Sequence, residues 1–128
     1  MLFLIFGAAS SVQAQAADCD DAMTQIEMND CAAEEFAAAD ADLNAAYQEA
    51  RAAMQLIDRN LDASQRGAES ALRAAQRAWI SFRDAACAAE GFQMRGGSAE
   101  PLVIYGCLSR LSEQRAQDLW DLAAGLDG

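Results

Sequence analysis

Thr24-Gln25-Ile26-Glu27-Met28-Asn29-Asp30-Cys31 opens the longest periodic stretch of the chain. Thr24 and Glu27 have capping-box spacing: the Thr side chain accepts from the backbone three residues on, and the Glu reaches back. From Met28 onward, Ala32, Phe36, Ala39, Leu43, Tyr47, Ala50, Met54 and Ile57 recur three or four residues apart, so they share one helix face. This spacing predicts a first helix from about Thr24 to about Arg59, with a turn at Asn60-Leu61-Asp62-Ala63-Ser64.

Two further helices follow from the same periodicity. Ala68, Ala71, Leu72, Ala75, Trp79, Phe82, Ala86 and Ala89 form a stripe between about Ser64 and about Glu90, with Gly91 as a candidate C-terminal cap. Gly96-Gly97 interrupts the period. Ser98 is then a candidate N-cap, Pro101 is tolerable in a first turn, and Ile104, Leu108, Leu111, Leu119 and Leu122 carry the third stripe to a frayed end near Gly125. No stretch alternates apolar and polar residues. The expected fold class is therefore all-α, an antiparallel bundle of three amphipathic helices. Its stripes are rich in Ala and have few bulky anchors, so cross-links would matter, at about 2–4 kcal/mol per disulfide.

Four cysteines are available, Cys19, Cys31, Cys87 and Cys107. Zinc sites favour a Cys-x-x-Cys pair or nearby His, and the chain has neither. An even count in a small exported chain reads as two disulfides. Cys87 and Cys107 lie at similar distances from the turn near residue 96, so antiparallel helices bring them to one level. Cys31 and Cys87 differ in level by roughly 8 Å, too far for a disulfide without adjustment. The expected pairs are Cys87–Cys107 and Cys19–Cys31.

Export is read from the first residues. Leu2 to Ala9 is apolar, too short to span a bilayer, and small residues follow it, which suggests a signal peptide over residues 1–16 with Ala14 as an alternative cleavage position. No basic residue precedes the apolar run. Asp18 stands immediately before Cys19, where lipid attachment wants a small uncharged residue, so neither a lipid anchor nor a membrane span is expected. The expected location is the periplasm or outside the cell.

The chain carries nine Arg, no Lys, no His and twenty acidic residues, a net charge of −11 over 128 residues. Nucleic acid is excluded as a partner because phosphate contacts need a basic face. A basic protein would be steered toward such a surface, although an acidic face also serves solubility. Asp20, Asp21, Glu27, Asp30, Glu34 and Glu35 form an acidic zone beside Cys19 and Cys31. It reads either as favourable charge near a helix N-terminus or as a docking patch for a cationic protein. Asp40, Asp42 and Asn44 begin like a calcium loop, but Arg51 stands where a bidentate Glu is required, so they read as a solvated helix face. Trp79, Phe82 and Arg83 read as a structural core motif. With no His and with oxidised cysteines, no catalytic residues, metal or cofactor are expected, and the chain reads as no enzyme.

The segments Thr24–Cys31, Asp42-Leu43-Asn44-Ala45-Ala46-Tyr47, Ala75–Cys87 and Gly96-Gly97-Ser98, with Cys107 and Arg115, resemble the lysozyme-inhibitor LprI-like domain family. The resemblance runs from about Cys19 to Leu119, with residues 120–128 as a helix end and tail. It implies a small exported helical domain with paired cysteines that acts by protein–protein contact, with a basic lysozyme as the partner. An envelope interaction module with an unrelated partner is the alternative. Blocking a cleft needs a protruding element. The loop Gly91–Ser98, with Phe92 and Met94, is the candidate beside Asp30, Glu34 and Glu35; its plainer reading is a helix connection with Phe92 tucked under it.

Overall fold

The computed structural model describes residues 19–126; the expected signal peptide lies outside them. Three helices dominate: α1 (Gln25–Arg59), α2 (Ala68–Gly91) and α3 (Glu100–Ala124). They run up, down and up, so each is antiparallel to its chain neighbour, and α1 and α3 share the largest interface. Short 3-10 turns occupy Cys19–Asp21, Ala63–Gln65 and Phe92–Met94. No strand occurs among the described residues.

The capping box forms as its spacing requires. Glu27 N–H donates to Thr24 Oγ1 at 3.1 Å, while the Thr24 and Met23 N–H groups donate to the Glu27 carboxylate. From there α1 buries Ala32, Ala39, Leu43, Ala46, Ala50 and Met54, close to the expected stripe, although Ile57 is exposed. Leu43, Ala46, Ala50 and Met54 pack with Leu72, Ala116 and Leu119 into one core, flanked by Tyr47 and Trp79. The alanines let the α1 and α3 backbones approach closely.

Both disulfides are present, Cys19–Cys31 with Cα atoms 5.6 Å apart and Cys87–Cys107 at 5.4 Å. The first ties the chain before α1 to its opening turns, and the second joins α2 to α3.

Helix α2 departs from its expected stripe. Leu72, Gln76, Arg83, Cys87 and Gly91 face inward, whereas Ala71, Ala75 and Ala89 are exposed. Phe82, expected as a core anchor, is 62% exposed. Its neighbour Arg83 takes the interior position because its guanidinium finds partners on both other helices, which rotates Phe82 outward. Leu122 near the end of α3 is likewise exposed.

Three helix ends also differ from expectation. α2 begins at Ala68, because Asp58 of α1 reaches across the turn and accepts hydrogen bonds from the N–H groups of Gly67, Ala68 and Glu69 at 3.0, 2.8 and 3.1 Å. Gly67, at φ 150°, supplies no side chain, so Asp58 does the capping. Gly91 is the last residue of α2, in helical conformation, and a Cβ there would lie 2.6 Å from Ile104 Cγ1. Its role is close approach of α2 to α3 one turn beyond Cys87, not left-handed capping. Ser98 is not the N-cap of α3; that position is Ala99, with no side-chain cap.

Two expectations follow. The three backbone N–H groups hold the Asp58 carboxyl below its ordinary value of 3.8. Because the folded value is depressed, this stabilisation is present above the ordinary value and is lost as pH falls through the folded one. The melting temperature of the wild type should therefore drop more steeply on acidification below about pH 5 than that of Asp58→Asn, read by circular dichroism. Gly91→Ala should destabilise by about 1–2 kcal/mol in urea unfolding, because crowding against Ile104 outweighs the gain in helix propensity.

Candidate partner-binding site

The N-terminus of α1, the loop 92–99 and the start of α3 meet at one end of the bundle. The Asn29 Nδ2 group donates to the Ser98 carbonyl at 2.9 Å, which pins the loop to α1. Within the loop, Gly96 (φ 78°) donates its N–H to Glu100 Oε2 at 2.9 Å, and Gly97 donates to the Met94 carbonyl. Arg95 pairs with Glu100 at 3.0 Å and stacks over the Phe92 ring at 4.7 Å. These contacts hold Glu100 below the usual carboxylate range, chiefly through the Gly96 N–H. The loop is thus a folded knob rather than a slack connection.

Phe92 is 61% exposed, and Met94 is exposed beside it. The reading that tucks Phe92 beneath the loop does not hold: Arg95 covers one face of the ring and the rest meets solvent. Asp30, Glu34 and Glu35 are exposed on α1 at the same end. Sequence reasoning passed over Met23 and Ile26, 86% and 73% exposed, which flank the capping box there. An apolar residue just before an N-cap often packs on the first turn, but Met23 does not, and its exposure is visible only in the fold. The disulfide end therefore gathers exposed apolar side chains among carboxylates.

Glu35 has a carboxylate oxygen within 4.8 Å of the Cys19 and Cys31 sulfurs. Those sulfurs are bonded to each other, and metal ligation needs thiolates. The same bond and a lipid thioether on Cys19 exclude one another.

The Trp79 and Arg83 group sits mid-bundle, away from this end. Arg83 is buried between Phe36 and Trp79, with its guanidinium carbon 5.3 and 5.4 Å from the ring centroids. It donates to Asp84 at 3.0 Å, to Asp40 at 3.3 Å and to Ser112 at 3.3 Å. Asp40 is thus an internal partner, not only a solvated acid, and Asp42 accepts from the Trp120 indole at 3.2 Å. Arg115 lies on the other side of this group, donating to Gln76 and stacking on Trp79. The contacts of Arg83 are those of a structural clamp.

The arrangement defines a class: a disulfide-stapled three-helix module that exposes apolar side chains among carboxylates at one end. The family model for lysozyme inhibitor LprI matches residues 16–119, and the chain belongs to that family. It is also 44% identical over 124 residues to an uncharacterized protein of Rhizobium meliloti (strain 1021), covering 94% of this chain and 89% of the relative. No solved structure matches it. Among the described residues no helix is long and apolar enough to cross a membrane.

Arg83→Lys keeps the charge but loses the planar fork that serves Asp40, Asp84 and Ser112 together. It should cost about 1–2 kcal/mol in chemical denaturation and weaken the near-ultraviolet dichroism of Trp79, whereas Arg83→Met should cost about 2–3 kcal/mol.

Proposed function

We propose that the protein is an exported inhibitor of lysozyme-type enzymes, acting in the periplasm or outside the cell by protein–protein contact and without a chemical step of its own. Its disulfide end is the docking surface: Phe92 and Met94, joined by Met23 and Ile26, form the apolar centre, and Asp30, Glu34 and Glu35 form an acidic rim. The target class comes from the family match over residues 16–119. The observation that carries the choice of surface is the exposed Phe92 and Met94 knob, bonded to α1 through Asn29 and Ser98. Apolar anchors inside a polar rim are the usual anatomy of a binding hot spot. The net charge of −11 speeds encounter with a basic enzyme, since rim charges act mainly on association rate.

Lysis of bacterial cell walls by a basic lysozyme, with the protein added, tests this reading. Wild type should inhibit at about micromolar concentration in low salt. Phe92→Ala with Met94→Ala should weaken inhibition about tenfold at every salt concentration, because it removes desolvated contacts. Asp30→Asn with Glu34→Gln and Glu35→Gln should lower the association rate in low salt and converge on wild type in high salt. Absence of inhibition by wild type would end the lysozyme assignment. Full inhibition by the Phe92 and Met94 double variant would move the docking surface elsewhere.

A further inference from the structure

A second recognition surface lies between α1 and α2, where Asn44, Tyr47 and Gln48 face Arg73, Gln76 and Arg77 across a groove of about 400 Å³. It sits some 15 residues, or roughly 22 Å, along α1 from Asn29. In a chain with twenty acidic residues, no described carboxylate lines it. Arg51 and Arg73 share Glu69 at the border, at 2.8 and 3.2 Å, so that carboxylate is already neutralised.

Two groups in the groove await a partner. Among the described residues the Arg77 guanidinium has neither an ion pair nor a hydrogen bond, unlike Arg51, Arg73, Arg83, Arg95 and Arg110. Gln76 is 6% exposed, and its Oε1 accepts from Arg115 at 3.0 Å. That bond orients the amide, and Nε2, without a partner among the described residues, keeps some solvent contact in a residue that lines the groove.

We infer that this groove binds a small monocarboxylated sugar. A carboxylate matches the planar fork of Arg77 with two parallel hydrogen bonds. Gln76 Nε2 donates beside it. The amides of Asn44 and Gln48 and the Tyr47 hydroxyl, which both donate and accept, suit the ring hydroxyls. Ile80 offers an apolar contact for a C–H face. The volume falls within the usual range for small-ligand clefts, about 300–1,000 Å³. One negative charge fits better than two, because a molecule at −11 repels each additional anion charge.

Amide-resolved NMR titration of the full oxidised chain with sodium glucuronate tests the inference, with glucose and sodium acetate as matched controls at constant ionic strength. Glucuronate should shift resonances of residues 44–48 and 73–80 saturably, with Kd below about 10 mM. Glucose and acetate should each bind at least about tenfold more weakly, since each satisfies only half of the groove. Arg77→Gln should weaken glucuronate about tenfold or more, and Asn44→Ala with Gln48→Ala should do likewise, while melting temperatures stay near wild type. Arg110→Gln should leave binding unchanged. No saturable shift, an equal response to acetate, or undiminished binding by a folded Arg77→Gln would each overturn the assignment. None of these outcomes bears on lysozyme inhibition, which was placed at the other surface.

Discussion

From its backbone position on α2, the Arg83 guanidinium reaches Asp40 on α1 and Ser112 on α3 while lying between the rings of Phe36 and Trp79. It is the group through which polar contacts bind all three helices, and its demands fix the rotation of α2. A guanidinium is better suited to this place than an ammonium. It is weakly hydrated, can be covered by aromatic faces, and offers several donors in one plane. Asp40 and Asp84 remain partly exposed, so the charge is compensated without taking two carboxylates fully out of water.

This polar clamp matters because the apolar core is slight. Leu43 and Leu119 are the largest fully buried hydrophobic side chains, and much of the remainder is alanine. Alanine permits tight α1–α3 packing but contributes little area per residue, at about 25 cal/mol per Å² of apolar surface. Covalent bonds supplement it at the end that carries the loop 92–99. Cys87 and Gly91 stand one turn apart on α2 against Cys107 and Ile104 on α3, so the disulfide and the missing Cβ serve the same close approach. At the opposite end there is no disulfide, and Asp58 supplies the α2 cap from across the turn.

The helices, their order and the cysteine pairs were legible because periodicity, capping chemistry and helix rise are local or nearly so. Thr24 and Glu27 announced a boundary, and level counting separated Cys87–Cys107 from its rivals. The inward face of α2 was not legible. An apolar stripe placed Ala75, Phe82 and Ala89 inside, yet Gln76 and Arg83 are there, since each is satisfied by residues 29 to 43 positions away. Hydrophobicity ranks a residue by its cost when unpaired, and the Arg83 guanidinium and the Gln76 amide oxygen are paired. Ser98 failed as a cap, and α2 starts at Ala68 rather than near Ser64, for a related reason: the loop backbone and Asp58 reach those helix starts from elsewhere. Among the candidate binding residues, the sequence placed Phe92, Met94 and the acids in two separate stretches. Only the Asn29–Ser98 bond shows that they share one end.

The distribution of charge follows from these same internal contacts. Six ion pairs involve six different arginine-to-carboxylate combinations, and they draw Arg51, Arg73, Arg83, Arg95 and Arg110 onto the protein's own acids. Five of the nine arginines are thereby paired with the protein's own carboxylates, while Asp30, Glu34 and Glu35 form no ion pair among the described residues and stay exposed at the disulfide end. In the proposed docking, long-range attraction to that acidic rim would bring a basic surface in, and desolvation of Phe92 and Met94 would then decide how long it stays. Arg59 and Arg77 stay outside this internal pairing, and Arg77 stands at a groove with no described carboxylate in its lining. The fold thus separates two chemistries along one bundle, exposed acids and apolar side chains at the disulfide end and an arginine- and amide-lined groove between α1 and α2.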